Sequence, residues 1–195
     1  MQTAFRSEER FTQDEFVRWL EQRPASDIHH YELLDGHIVM TPPAGHPHGT
    51  VEGQIIYLLQ RHVRAGNLGI VNGSSTGYAL PLGQTLEPDV SFVSSATLAA
   101  GPAPEVGKFL RIVPDLVVEI LSESTESRDL GEKRSIYERN GVAEYWLVAP
   151  QERQVTVLYR DGGTFSTSRT FREGAIASHV LPELSLTVEA VFELV

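Results

Sequence analysis

Three side chains stand where an apolar residue would be the cheaper choice, and their types fit one kind of chemistry. Glu119 lies in the run Asp115-Leu116-Val117-Val118-Glu119-Ile120-Leu121, which reads as a central strand covered on both faces. Strand alternation puts it on one face with Asp115, Val117 and Leu121. A carboxylate there is costly unless it is paired or holds a cation. Asp89 follows Pro88 at the entry to another strand. Lys133 falls on the next helix, where spacing places Leu130, Lys133, Ile136, Tyr137 and Asn140 on the side against the sheet. Two acids on separate strands and a lysine nearby are the minimum set for metal-dependent phosphodiester hydrolysis. Carboxylates give Mg²⁺ or Mn²⁺ hard oxygen ligands. The ion polarises phosphate and activates water, and the ammonium orients that water or stabilises developing charge. Each residue also has a plainer reading. Glu119 could sit in a buried salt bridge with an arginine, Asp89 could cap a turn, and Lys133 could snorkel beside Asp129 four residues earlier.

The elements that must position these residues follow from local signals. Thr12-Gln13-Asp14-Glu15 is a capping box, with Phe16, Trp19 and Leu20 on one face, and predicts a helix over 12–22. Residues 31–34 and 37–40 flank Asp35-Gly36, a strong hairpin signal. A loop marked by Pro42, Pro43, Gly45 and Pro47 leads to a helix from His48, with Val51, Ile55, Leu58, Leu59 and His62 at helical spacing and Gly66 as its stop. Short strands are expected at 69–72, 77–81 and 87–93. After a Gly/Pro/Ala-rich excursion over 94–107 come the strand 115–121, a helix over 128–140 ending before Gly141, and a strand at 145–149. Residues 155–160 turn through Asp161-Gly162-Gly163 into a hairpin, and the chain closes with a short strand and a helix over 188–194. Strand–helix–strand over 115–149 reads as one parallel crossover. The class is therefore α/β or α+β, a mixed sheet flanked by helices in a single domain over 1–195, with 1–11 a loosely ordered extension.

Composition narrows the function classes. The 195 residues contain no cysteine, which excludes disulfides, cysteine-ligated zinc and a thiol nucleophile. No apolar run approaches membrane-spanning length and residues 1–16 lack a signal-peptide core, so a soluble cytoplasmic protein is expected. The formal charge of −10 opposes generic adhesion to nucleic acid. Fourteen of the sixteen basic residues are arginine, so Lys108 and Lys133 stand out.

Several ordered stretches together resemble the Uma2-type (DUF820) endonuclease family. They are Tyr31-Glu32-Leu33-Leu34-Asp35-Gly36, Pro42-Pro43 with His48-Gly49, and Glu87-Pro88-Asp89-Val90. The longest runs over 114–122 and continues through Ser124-Thr125, Asp129, Lys133, Tyr137, Gly141-Val142 and Glu144-Tyr145-Trp146. The resemblance covers roughly 12–195 and implies a restriction-endonuclease-like fold of the PD-(D/E)xK superfamily. It implies Asp89 and Glu119 as the paired metal-binding acids. The superfamily lysine normally stands two residues after the second acid, where this sequence has Leu121, and the Uma2-like pattern offers Lys133 instead. Glu32 matches an early family glutamate and His48 a family histidine. Asp115, Asp129 and Tyr137 are further auxiliary candidates. The expected activity is an Mg²⁺- or Mn²⁺-dependent endonuclease acting on nucleic acid, with DNA as partner and a homodimer as assembly. Part of the negative charge then belongs to the site, through Glu32, Asp89, Asp115 and Glu119, and arginines are expected around one cleft.

Two rival readings bear on this. His46-Pro47-His48 followed by Glu52 matches a metal fragment that cupins carry on strands, but the spacing after His48 is helical. A catalytically inactive nuclease fold used for interaction or nucleic-acid binding is the second; retention of Asp89, Glu119 and Lys133 weighs against it.

Overall fold

Asp35 and Gly36 both adopt positive φ, 48° and 85°, as a two-residue hairpin turn requires. They join β2 (His30–Leu34) to β3 (His37–Thr41) in the expected register. The computed structural model describes residues 5–41 and 43–194, so Pro42 of the expected loop and residues 1–4 of the expected extension lie outside the described residues. Residues 5–11 are not loose. β1 (Phe5–Arg6) pairs antiparallel with β3, and Phe11 N–H donates to Gly36. α1 (Gln13–Glu21) starts on the capping box, Thr12 and Glu15 each closing the other's free N–H.

α2 (His48–Gly66) is helical from its first residue, which removes the cupin reading of His46, His48 and Glu52. Its stop is Asn67, in the left-handed conformation, rather than Gly66. Next come β4 (Gly69–Gly73), β5 (Tyr78–Ala79), β6 (Thr85–Leu86) and β7 (Val90–Ser94). The expected strand over 87–93 is split, because Pro88 lacks an N–H for the ladder. The excursion after β7 contains α3 (Ser95–Ala100), capped by Ser94. β8 (Leu116–Ile120) runs parallel to β9 (Glu144–Ala149). The crossover between them is α4 (Glu126–Arg128), a π-helical turn (Asp129–Lys133) and α5 (Arg134–Asn140). β10 (Gln154–Asp161), β11 (Thr164–Phe171) and α6 (Val188–Val191) complete the chain. The expected closing strand is reduced to one bridge, Ala175 to Thr187.

The strands form two sheets where the sequence suggested one. A five-stranded sheet has the order β1-β3-β2-β6-β5, and a six-stranded mixed sheet has β11-β10-β9-β8-β7-β4. Alternation along β8 explains how they stack. Leu116, Val118 and Ile120 join Val51, Ile55, Leu59 and Trp146 in a core under α2 and α6. Val117, on the opposite face, packs with Ile136, Tyr137 and Tyr145 and with Leu34 and Leu86 of the five-stranded sheet. Phe16 of α1 covers the outer face of the hairpin with Tyr31, Leu33, Ile38 and Met40. Each fully buried aliphatic or aromatic side chain here contributes roughly 1.5–3 kcal/mol of transfer free energy. The middle layer, bounded by both sheets and α5, receives Glu119 from β8 and Glu32 from β2.

Candidate active site

Glu32 and Glu119 alternate with core residues on their strands, so each must point into the middle layer. They meet on Lys133. Its Nζ lies 2.8 Å from Glu119 Oε1 and 2.9 Å from Glu32 Oε1, and all three side chains are almost wholly enclosed, at 3–5% exposure. The partner of Glu119 is thus this lysine, not the arginine of the plainer reading. Tyr137 donates from its hydroxyl to the same Glu119 oxygen at 2.8 Å, and the Glu87 backbone N–H donates to Glu32 Oε1 at 2.9 Å. Glu32 is therefore no exposed hairpin acid.

The π-helical turn sets which side chain joins Lys133 on the inward face, Asp129 in place of Leu130. Its wider hydrogen bonding adds a residue to one turn and shifts the helix face. Asp129 and Lys133 are buried, whereas Leu130, expected on the inward face, is 44% exposed. Arg6 on β1 grips this segment through both oxygens of Glu132 at 2.9 Å.

Asp89 sits just before β7 and reaches across to β8. Its Oδ2 accepts the Ile120 backbone N–H at 2.7 Å and lies 3.1 Å from His48 Nε2 at the start of α2. The Asp89 and His48 side chains are 16–17% exposed, so they form the most open edge of the cluster. The structure thus brings together Glu32, His48, Asp89, Glu119, Asp129, Lys133 and Tyr137. It does not bring Asp115, whose two oxygens accept from Ser94 N–H and Thr97 Oγ1 in the α3 cap. Asp115 therefore belongs to the local cap, and its charge is not part of the clustered acids.

Burial and mutual charge bias these groups. Burial lifts the Glu119 carboxyl well above the usual carboxylate range; Lys133 opposes the rise, and Asp89, Asp129 and Glu32 add to it. Burial also raises Asp129, with Lys133 again opposing. For Lys133, burial favours the neutral amine, but Glu119, Glu32 and Asp129 together outweigh it and hold the ammonium above its ordinary value. Lys133 therefore stays charged at neutral pH and can donate but not act as a base. Burial lowers His48, yet its contact with Asp89 leaves it raised overall. Tyr137 and Tyr145 are pushed well up by burial and by Glu119, which keeps them neutral donors.

Glu32 Oε2 and Asp129 Oδ1 are buried carboxylate oxygens without a hydrogen-bond partner among the described residues. Such atoms are costly unless a cation or water meets them. Among the described residues, no three His, Asp or Glu side chains close on one cation position. Two surface clefts, about 700 and 420 Å³, are lined by other residues, Arg10, Asp35 and Gln84 around the first and Arg111, Pro114 and Asp115 around the second.

Sequence reasoning missed Glu87. Glu87 fixes Glu32 from its backbone and lies 2.7 Å from His30 Nδ1 through Oε2. The signal for this was alternation on β2, which puts His30 and Glu32 on one face.

The sequence model of the Uma2 family, described as "putative restriction endonuclease", matches residues 13–189 and so includes every residue of the cluster. A solved structure from Anabaena variabilis, titled a "putative nuclease belonging to DUF820", superposes with a TM-score of 0.76 at 20% identity. The match covers 94% of this chain and 98% of that one, a likeness of fold over nearly the whole length. No curated protein matches the chain. Among the described residues no helix is long and apolar enough to cross a membrane.

Proposed function

Because the chain belongs to the Uma2 family, we propose that it is a divalent-metal-dependent endonuclease that hydrolyses phosphodiester bonds of DNA. The observation that carries this reading is the convergence of Glu119 and Glu32 from two sheets onto one enclosed lysine, with Asp89 close enough to act on Glu119 and with buried carboxylate oxygens that no donor meets among the described residues. A divalent ion bound there would offset the desolvation that disfavours the ionised Glu119 carboxylate.

Asp89 and Glu119 would hold Mg²⁺ or Mn²⁺. When bound, the ion supplies phosphate polarisation and a water acidified enough to attack. Lys133 remains an ammonium tied to Glu119 and Glu32, so its part is to hold those carboxylates and orient the water with its third N–H, not to remove a proton. Glu32 and Tyr137 act through others: Glu32 anchors Lys133, and Tyr137 fixes the Glu119 carboxylate. His48 orients Asp89 together with the Ile120 N–H. The net reaction adds water across one P–O bond, giving a phosphomonoester and a hydroxyl. A homodimer belongs to this reading, since cutting both strands of a duplex at one place takes two sites; light scattering measures it.

The experiment is plasmid cleavage with titrated Mg²⁺ or Mn²⁺, comparing wild type with Asp89→Ala and Glu119→Ala. Metal-dependent cleavage that both substitutions abolish supports the reading. Cleavage that survives them removes the site, and DNA binding without any cleavage favours an inactive nuclease fold.

A further inference from the structure

A nuclease site must also hold a phosphate, and Lys133 cannot do so as it stands, because Glu119 and Glu32 occupy its ammonium inside the core. The groups around it are mostly acids, which repel a polyanion. A second cation must therefore face the substrate. Arg6 does not serve, being tied bidentately to Glu132. Arg23 and Arg139 are paired with Asp27 and Asp35 on the hairpin side of the molecule.

Arg128 remains. It closes α4, directly before Asp129, and is half-buried. Its Nε is enclosed and has no hydrogen-bond partner, and the guanidinium makes no ion pair among the described residues. This occurs although Asp129 and Glu132 are close enough to feel its charge, as does Lys133. An arginine flanked by two acids normally pairs with one of them. Here Glu132 is taken by Arg6, and Asp129 leaves Oδ1 unmet rather than turning to Arg128. A planar guanidinium left uncommitted beside an acidic cluster matches the bidentate geometry of a phosphodiester.

We propose that Arg128 binds a backbone phosphate of the nucleic-acid substrate at the Glu119–Lys133 site, leaving Lys133 to the acids. The proposal rests on the nuclease reading above for the identity of its ligand. Arg128 is a substrate-binding residue: it positions the strand, and its contact is independent of base sequence.

The test measures binding of a fluorescent DNA duplex in Ca²⁺, which supports assembly without cleavage, across a range of salt, alongside Mg²⁺-dependent cleavage and thermal melting. Arg128→Ala is expected to weaken duplex binding roughly 10- to 100-fold and to reduce the salt slope by about one, with the melting temperature unchanged. Arg128→Lys should recover part of the affinity by restoring charge without the planar fork. Equal binding by wild type and Arg128→Ala overturns the proposal. So does a fall in melting temperature that accounts for the lost binding, since that makes Arg128 a packing residue. A wild type that binds duplex in this Arg128-dependent way but never cleaves defeats the nuclease reading and leaves the phosphate contact standing. A wild type that neither binds nor cleaves defeats both.

Discussion

The two ends of the parallel pair β8–β9 both carry buried acids, and they treat them in opposite ways. At the N-terminal end, Glu144 is fully enclosed, yet each oxygen has a donor: Trp146 Nε1 at 2.6 Å and the His179 backbone N–H at 2.7 Å. Asp115, beside it, is likewise satisfied through both oxygens by the α3 cap. Toward the C-terminal end, Glu119, Glu32 and Asp129 crowd around one ammonium with Asp89 acting on Glu119, and among the described residues two of these acids' oxygens meet no donor. A fold that can satisfy Glu144 with neutral donors does not need Lys133 to bury an acid. The contrast teaches that burial alone is not a functional signal; unmet oxygens in a multi-strand acidic cluster are. Open α/β sheets also bind ligands beyond the carboxyl ends of their strands, which is the end Glu119 approaches.

The largest effect separating the two ends should be catalytic. Asp89→Ala should lower metal-dependent DNA cleavage by about 10²–10³-fold or more, measured as initial rates on supercoiled plasmid. Glu144→Gln should leave the rate near wild type. Next is stability. Lys133→Met leaves Glu32 and Glu119 facing each other without a cation and should cost about 3–5 kcal/mol in urea unfolding. Glu144→Gln keeps an acceptor for one of the two neutral donors and should cost less, about 1–3 kcal/mol. If the two substitutions cost the same, the ends do not differ as described.

Metal response should sharpen the contrast further. Mg²⁺ at a hundred times its dissociation constant should stabilise wild type by about 2.7 kcal/mol, read as a rise in melting temperature. Glu144→Gln should keep that rise and Glu119→Gln should lose it. The smallest effect concerns the exposed clamp on the π-helical turn. Its hydrogen bond with Arg6 holds the Glu132 carboxyl below the ordinary range. A depressed carboxyl contributes stability above its unfolded value and loses it as pH falls through the folded value. Arg6→Ala should therefore cost under about 1 kcal/mol after solvent screening at neutral pH, and nothing once acid has protonated Glu132. Equal loss at both pH values would assign the cost to packing of β1 instead.

Much of this was readable from local sequence. The capping box at Thr12, the Asp35-Gly36 hairpin and the apolar run around Glu119 each carry their own periodicity or turn chemistry, so the elements and the inward face of Glu119 follow directly. Asp89, Glu119 and Lys133 could be singled out because polar residues stood at apolar positions. The stacking of the hairpin sheet on the larger sheet is a long-range event with no local signature, so Glu32 could not be told from an exposed acid. The π-helical turn was equally hidden: a regular helix would bury Leu130, and only the inserted residue turns Asp129 inward. Asp115 misled because alternation puts it on the Glu119 face, whereas β8 starts one residue later and Asp115 accepts from Ser94 and Thr97 of the α3 cap. Arg128 had no signal, since what marks it is the absence of partners that lie elsewhere in the chain.

The most direct test compares the two buried glutamates in one assay: Mg²⁺-dependent cleavage of supercoiled plasmid by wild type, Glu119→Gln and Glu144→Gln, with chelator as control. The account predicts cleavage by wild type and Glu144→Gln that chelator abolishes, and none by Glu119→Gln. Cleavage by Glu119→Gln at the wild-type rate would contradict it.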